Sequence, residues 1–284
     1  MTGSLRRTAA PHPAVRGLVY PPGYGGTEET VDVGGLLVPA EPSVSIVVNL
    51  TEPDTGPDAF VTPAGRPCVV PGTTARPRSW ITVHLTPPGA YRLLGPGAAE
   101  TRGEAVDLTE LLGHRAHDLV AALRAAGEWR HRWPILDRLL ADASGPAPAP
   151  ELDRVWRRIC QTGGRVPMAG LAAEVGWSRQ HLSRRFGRHF GSAPKTFARL
   201  VRLNRVLRRI RREGRWEQAA FDAGYFDQSH LARDLREFTG TTLGRYLERA
   251  QPCGCVREAN SLQAGPPGTG LTSPHRPAPE RTRR

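Results

Sequence analysis

The chain has 284 residues, 39 Lys and Arg against 27 Asp and Glu, and a sequence pI near 10.7. At roughly 100–200 residues per domain, that length fits two modest domains. No apolar run reaches the ~18 residues of a membrane-spanning helix, and MTGSLRRTAAPHPAV at the N-terminus lacks the apolar stretch of a secretory signal. The four cysteines, Cys68, Cys160, Cys253 and Cys255, are too few and too unevenly spaced for a disulfide framework or a four-ligand zinc site, so a reducing cytoplasm is the expected compartment.

The charge is segregated. Residues 1–150 carry 13 basic and 15 acidic side chains, whereas residues 151–250 carry 21 and 10, a net of +11 in a hundred residues. An Arg-favouring coding bias explains why Lys195 is the only lysine, but not why the arginines gather in one stretch. Such a concentration is the electrostatic footprint of a polyanion-binding domain.

In chain order, residues 1–34 are punctuated by Pro and Gly and predict no clear element. Short β-favouring runs follow at Gly35–Val38, Val44–Leu50, Pro67–Val70 and Trp80–Leu85, bounded by turn residues. They predict the strands of a small sheet or partial barrel. After Pro87-Pro88 the period becomes helical: Leu108, Leu111, Leu112, Leu119, Val120 and Leu123 mark one helical stretch. Trp129–Leu140 marks another, with Pro134 as a candidate interruption. Residues 144–150, SGPAPAP, hold three prolines and no apolar face, and predict a linker between a region over 1–143 and a helical one over 151–249. Residues 250–284 turn back to Gly, Pro, Ser and Thr and predict a disordered tail. The expected fold class is therefore α+β with two domains: a β-rich N-terminal half with helices and an all-α C-terminal half.

The helical region repeats itself. Leu171-Ala-Ala-Glu-Val-Gly-Trp177 aligns with Ala219-Ala-Phe-Asp-Ala-Gly-Tyr225 at an offset of 48, and Leu182-Ser-Arg-Arg-Phe186 with Leu231-Ala-Arg-Asp-Leu235 at an offset of 49. Each copy reads as a short helix, a Gly-aromatic turn and a longer helix, about 178–190 and 227–239, capped by Ser178 and Asp227. Gly176 and Gly224 supply the positive φ of the turn. Leu182, Phe186 and Phe190 in the first long helix, and Leu231, Leu235 and Phe238 in the second, fall on core positions. That leaves Arg179, Gln180, Ser183, Arg184 and Arg188 facing out of the first, and Gln228, Ser229, Ala232, Arg233 and Arg236 out of the second. Arg can fork onto guanine O6 and N7, Gln onto adenine N6 and N7, and Ser onto bases or phosphates. Between the copies, Pro194–Arg212 predicts a helix roughly 28 Å long at ~1.5 Å per residue, close to the ~34 Å between successive major-groove faces. Lys195 and a row of arginines lie on its outer side, as candidate phosphate contacts or as solubilising charge.

These motifs resemble the two-subdomain DNA-binding region of the AraC/XylS family of bacterial transcription regulators. The resemblance rests on Leu171–Phe186 with Gly191-Ser-Ala-Pro-Lys195, and on Ala223–Leu235 ending at Gly240-Thr-Thr-Leu-Gly-Arg-Tyr246. It implies base readers at Gln180, Ser183, Arg184, Gln228, Ser229 and Arg233, with phosphate contacts at Arg179, Arg188, Lys195 and Arg236. The chain departs from the family at Leu243, where a Pro is usual, at Ala193, which replaces a capping Ser or Thr, and at Ala232, which offers only a methyl. Residues 1–143 resemble the degenerate cupin-like sensor region of a subgroup, which implies effector binding, dimerisation or both. Double-stranded DNA is the implied partner, with RNA polymerase, a small-molecule effector and a second copy as further partners the resemblance allows.

Other chemistries find little footing. His84 lies in a strand, and His114 and His117 stand three apart without a third ligand at metal-binding spacing. Cys253-Gly-Cys255 sits in the Pro/Gly-rich tail. No Gly-x-Ser-x-Gly elbow or phosphate-cradling loop is present, and neither catalytic residues nor a cofactor are expected. An alkyl-transfer repair enzyme would need an activated cysteine, and Cys68 has no basic neighbour in the sequence. A sequence-indifferent architectural DNA binder would share the basic domain.

Overall fold

The computed structural model describes residues 5–53, 56–99, 104–143, 145–213, 216–249 and 256–257. Its N-terminal half is an antiparallel sheet. β1 (Leu5–Ala9) precedes a 3₁₀ turn over Pro13–Leu18, then come β2 (Val19–Val38), β3 (Val44–Asn49), β4 (Ala59–Thr62) and β5 (Cys68–Leu85). β6 (Val106–Asp107) completes the order β1-β2-β5-β3-β4-β6.

The strands differ from the expectation in extent. Gly35–Val38 is only the end of β2, whose earlier residues include the Pro/Gly-punctuated stretch that predicted no element. Pro67–Val70 and Trp80–Leu85 belong to one strand, with Cys68 and Leu85 as its ends. β5 pairs with β2 from Cys68 to Leu85 but with β3 only from Trp80 onward. Among the described residues its first half is therefore bordered on one side alone, where Pro71 and Pro77 can sit without removing a bond from a central ladder. β4, only four residues long, carried no signal of its own beside the turn residues around it.

Helices follow the sheet. α1 (Pro87–Leu94) is capped by Thr86, whose hydroxyl accepts from the Gly89 N–H at 3.0 Å. α2 (Leu108–Leu112) and α3 (His114–Ala125) divide at Gly113, and α4 (Trp129–Ala141) continues through Pro134 without ending there. α5 (Pro150–Gln161), α6 (Met168–Glu174), α7 (Arg179–Phe190), α8 (Pro194–Glu213), α9 (Trp216–Asp222), α10 (Gln228–Thr239) and α11 (Leu243–Arg249) make the C-terminal half. Of the predicted tail, only Val256–Arg257 fall among the described residues beyond Arg249; they form a short strand, β7, paired with β2 at Leu36 and Leu37. The remainder of that tail, with Cys253 and Cys255, lies outside the described residues.

The apolar interior does not part at the Pro-rich stretch. One cluster runs from Val15 and Tyr24 through the sheet and α1–α4 to Leu152, Trp156, Leu171, Phe186, Phe197 and Val201. A second gathers Leu203, Leu207, Ile210, Tyr225, Leu231, Leu235, Phe238 and Tyr246 around the far half of α8, and takes Ala40 from the N-terminal half. Within the Pro-rich stretch Pro148 is buried, and Pro150 starts α5, where its fixed φ suits a first helical turn.

Several contacts tie the N-terminal half to the helical half. The Ala40 N–H donates to the Phe238 carbonyl at 2.7 Å. The Tyr91 and His189 rings stand 5.2 Å apart. Arg208 on α8 donates to the Tyr20 hydroxyl at 3.3 Å and lies 5.5 Å from the centre of its ring. Burial pushes that hydroxyl well above its ordinary range, with Arg208 opposing. Nearby, His84 Nδ1 lies 3.0 Å from Ser45 Oγ and 3.2 Å from Glu41 Oε2. Burial acts to raise the Glu41 carboxyl, but His84, Ser43 and Arg208 together outweigh it and hold the group below its usual value.

Candidate nucleic-acid interface

α6–α7 and α9–α10 are built alike. In the first, Ser178 accepts from the His181 N–H at 3.1 Å; in the second, Asp227 accepts from the His230 N–H at 2.7 Å. Gly176 and Gly224 take φ of 69° and 82°, a region where an L side chain is strained. The turn aromatic then packs edge-on against the histidine that follows: Trp177 on His181 with centroids 4.9 Å apart, Tyr225 on His230 at 5.0 Å. Each turn ring also has an arginine over it, Arg185 at 5.7 Å from Trp177 and Arg202 at 4.6 Å from Tyr225. Each long helix ends at a left-handed glycine, Gly191 or Gly240. Either cap removed, Ser178→Ala or Asp227→Ala, is expected to cost about 1 kcal/mol, measurable as a lowered midpoint in chemical denaturation.

The inward residues are buried as the spacing required: Leu182, Phe186 and Phe190 in α7, and Leu231, Leu235 and Phe238 in α10. Gln180, Ser183 and Arg184 are exposed on α7, and Gln228, Ser229 and Arg233 on α10. Arg179, Arg188, Lys195 and Arg236 are exposed as well, and Ala232 is half-buried.

The row of arginines on α8 divides. Arg205 and Arg208 are exposed, but Arg199 and Arg202 turn toward α10 and meet Asp234, which is 1% exposed. Arg199 donates to Asp234 Oδ1 from Nε at 3.0 Å and from Nη2 at 2.6 Å, and to the Glu237 carboxylate at 2.9 and 2.6 Å. Arg202 Nη2 reaches Asp234 Oδ2 at 3.4 Å, and the Tyr225 hydroxyl donates to the same oxygen at 3.0 Å. Hydrogen bonds to Glu237, and then to Asp234, raise the Arg199 guanidinium further despite its partial burial. Burial and the Asp234 charge likewise hold the Tyr225 proton. Arg209 pairs with Asp222. These arginines brace α8 against α9 and α10 rather than standing free for phosphates. The periodicity missed this. The one signal in the sequence is that Asp234 occupies the slot that Arg185 fills in the first copy, a reversal of charge inside a basic region.

Elsewhere, Cys68 is buried, and burial pushes its thiol up to about 12, the reverse of what a nucleophile requires. His84 is engaged by Ser45 and Glu41, while His114 and His117 are exposed on α3. Among the described residues, no three His, Cys, Asp or Glu side chains are grouped to hold a metal ion, and no helix is long and apolar enough to cross a membrane.

Residues 171–249 match the model of a helix-turn-helix domain family. The chain is 28% identical over 115 residues to the uncharacterised HTH-type transcriptional regulator YbfI of Bacillus subtilis (strain 168). That similarity covers 39% of this chain and 42% of YbfI, so the match spans about two-fifths of the relative's length. Among solved structures, ToxT from Vibrio cholerae O395 superposes with a TM-score of 0.47 at 8% identity, over 80% of this chain and 97% of that one. The AraC-like transcriptional activator CuxR gives 0.29 at 14% identity, over 65% and 76%.

Proposed function

We propose, from a C-terminal region of the AraC helix-turn-helix type, that this chain is a sequence-specific DNA-binding transcription regulator. The observation that carries the proposal is the duplicated unit: two long helices with the same cap, the same turn packing and the same buried face. Each presents exposed Gln, Ser and Arg to solvent within a stretch of net charge +11. Gln180, Ser183 and Arg184 read one stretch of major groove, and Gln228, Ser229 and Arg233 the next. Arg179, Arg188, Lys195 and Arg236 neutralise phosphates and set the register. The 20-residue helix α8 separates the two readers; at ~1.5 Å per residue it spans close to one turn of B-DNA.

Residues 1–143 act as the sensor or dimerisation domain, of degenerate cupin-like type, and 144–150 as the connection to the reader over 151–249. The antiparallel sheet followed by helices supports that assignment, and its contacts with α7, α8 and α10 offer a route by which an effector could act on the readers. A protein of this kind works in the bacterial cytoplasm, bound to the nucleoid.

Duplex binding measured against salt tests the proposal. The four phosphate contacts of the helical half contribute about −3.6 to the log–log slope, at ~0.9 per phosphate, and competition by random duplex should be at least a thousandfold weaker than by a selected site. A flat salt response would contradict the charge argument. Equal competition by every sequence would instead indicate an architectural DNA binder.

A further inference from the structure

We propose that the N-terminal sheet contributes directly to DNA binding: Arg66, between β4 and β5, joins Arg188 in a groove that takes a backbone phosphate beside the base reader Arg184. The inference rests on the DNA-binding reading above and extends it to a part of the chain outside the helical region. A groove of about 660 Å³ is walled by Arg66, Ser183, Arg184, Arg188, Ser192 and Thr196 among its lining residues, so a loop of the sheet faces the outer side of α7 and the start of α8. Glu237 is the one acid among those lining residues, and both its oxygens already accept from Arg199. Arg66, Arg184 and Arg188 are all exposed, and among the described residues none has a carboxylate partner, unlike Arg124, Arg158, Arg199 and Arg209 elsewhere in the fold. The guanidiniums of Arg66 and Arg188 repel each other without an anion, and with the Ser192 and Thr196 hydroxyls beside them they suit a phosphodiester, which offers charge and acceptor oxygens together, while Arg184 at the same groove reaches the bases.

The position of Arg66 is built. Gly65 donates its N–H to the Glu41 carbonyl at 2.9 Å, and at a φ of +85° it presses so closely on the α7–α8 turn that a Cβ there would lie 2.5 Å from Ser192 Oγ. Pro67 follows, and Cys68 enters β5. The loop is thus pinned to the helical half on one side and to the sheet on the other. With it seated, Ser183, Arg184 and Arg188 keep their exposure, so the loop borders the reading face without covering it.

The test is fluorescence anisotropy of the full chain on labelled duplex across a salt series, with Arg66→Ala and Arg66→Lys beside the wild type. Arg66→Ala should weaken binding about three- to tenfold on selected and random duplex alike, and flatten the log–log slope by about 0.9. Arg66→Lys, which keeps the charge, should retain the wild-type slope. Unchanged affinity and slope in Arg66→Ala would overturn the inference, as would tighter binding, which would make the loop an obstruction. Either result leaves the regulator reading intact, whereas a wild-type chain that binds no duplex ends both.

Discussion

Asp234→Asn is expected to destabilise the second helix-turn-helix by about 3–5 kcal/mol, the range for breaking a buried charged network from one side. The carboxylate is almost wholly buried, and it takes hydrogen bonds from Arg199, Arg202 and the Tyr225 hydroxyl. Asparagine keeps the shape but loses the charge. Arg199 would still have Glu237, whereas Arg202, only 15% exposed at its side chain, would be left without a counter-ion. Tyr225→Phe removes one donor and no charge, and should cost only about 1 kcal/mol. Denaturant titration of the two variants gives the comparison. A loss of under 1 kcal/mol in Asp234→Asn would mean that apolar packing alone holds α10 on α8.

Arg184→Ala and Arg233→Ala should each weaken binding to the selected site by about 1–3 kcal/mol and relax base preference at one short block of it. The two arginines occupy the same slot in the two copies, and both are exposed on helices whose opposite faces are buried. Because they act on separate blocks, the losses should add in the double variant. Random duplex should bind the variants almost as it binds the wild type. An equal loss on every sequence would reassign both residues to the phosphate backbone.

The C-terminal half was legible because its information is local. Helical spacing placed Leu182, Phe186 and Phe190 on one face, Ser178 and Asp227 announced the helix starts, and Gly176 and Gly224 the turns. The N-terminal sheet was less legible because its strands are defined by pairing. The first part of β2 reads as turn residues, Val19-Tyr-Pro-Pro-Gly-Tyr-Gly-Gly26, and becomes strand because β1 and β5 flank it. The Pro-rich stretch 144–150 has the composition of a loose connection, yet Pro148 within it is buried, and one apolar cluster extends past it into α7 and α8. Composition reports what a segment can bury by itself; it does not report what neighbours bring to it. The same limit hid the fate of Arg199 and Arg202. Along α8 they look like their neighbours Arg205 and Arg208, and only the packing of α10 distinguishes them. Arg66 stood alone among Pro and Gly, with nothing in the sequence to bring it beside α7.

Selection of bound duplexes from a random pool by the full chain tests the central claim most directly. Two readers set apart by α8 predict an enriched site with two short blocks, their centres about 10–10.5 base pairs apart on one face of the helix. A single block, two blocks at variable spacing, or no enrichment would contradict it.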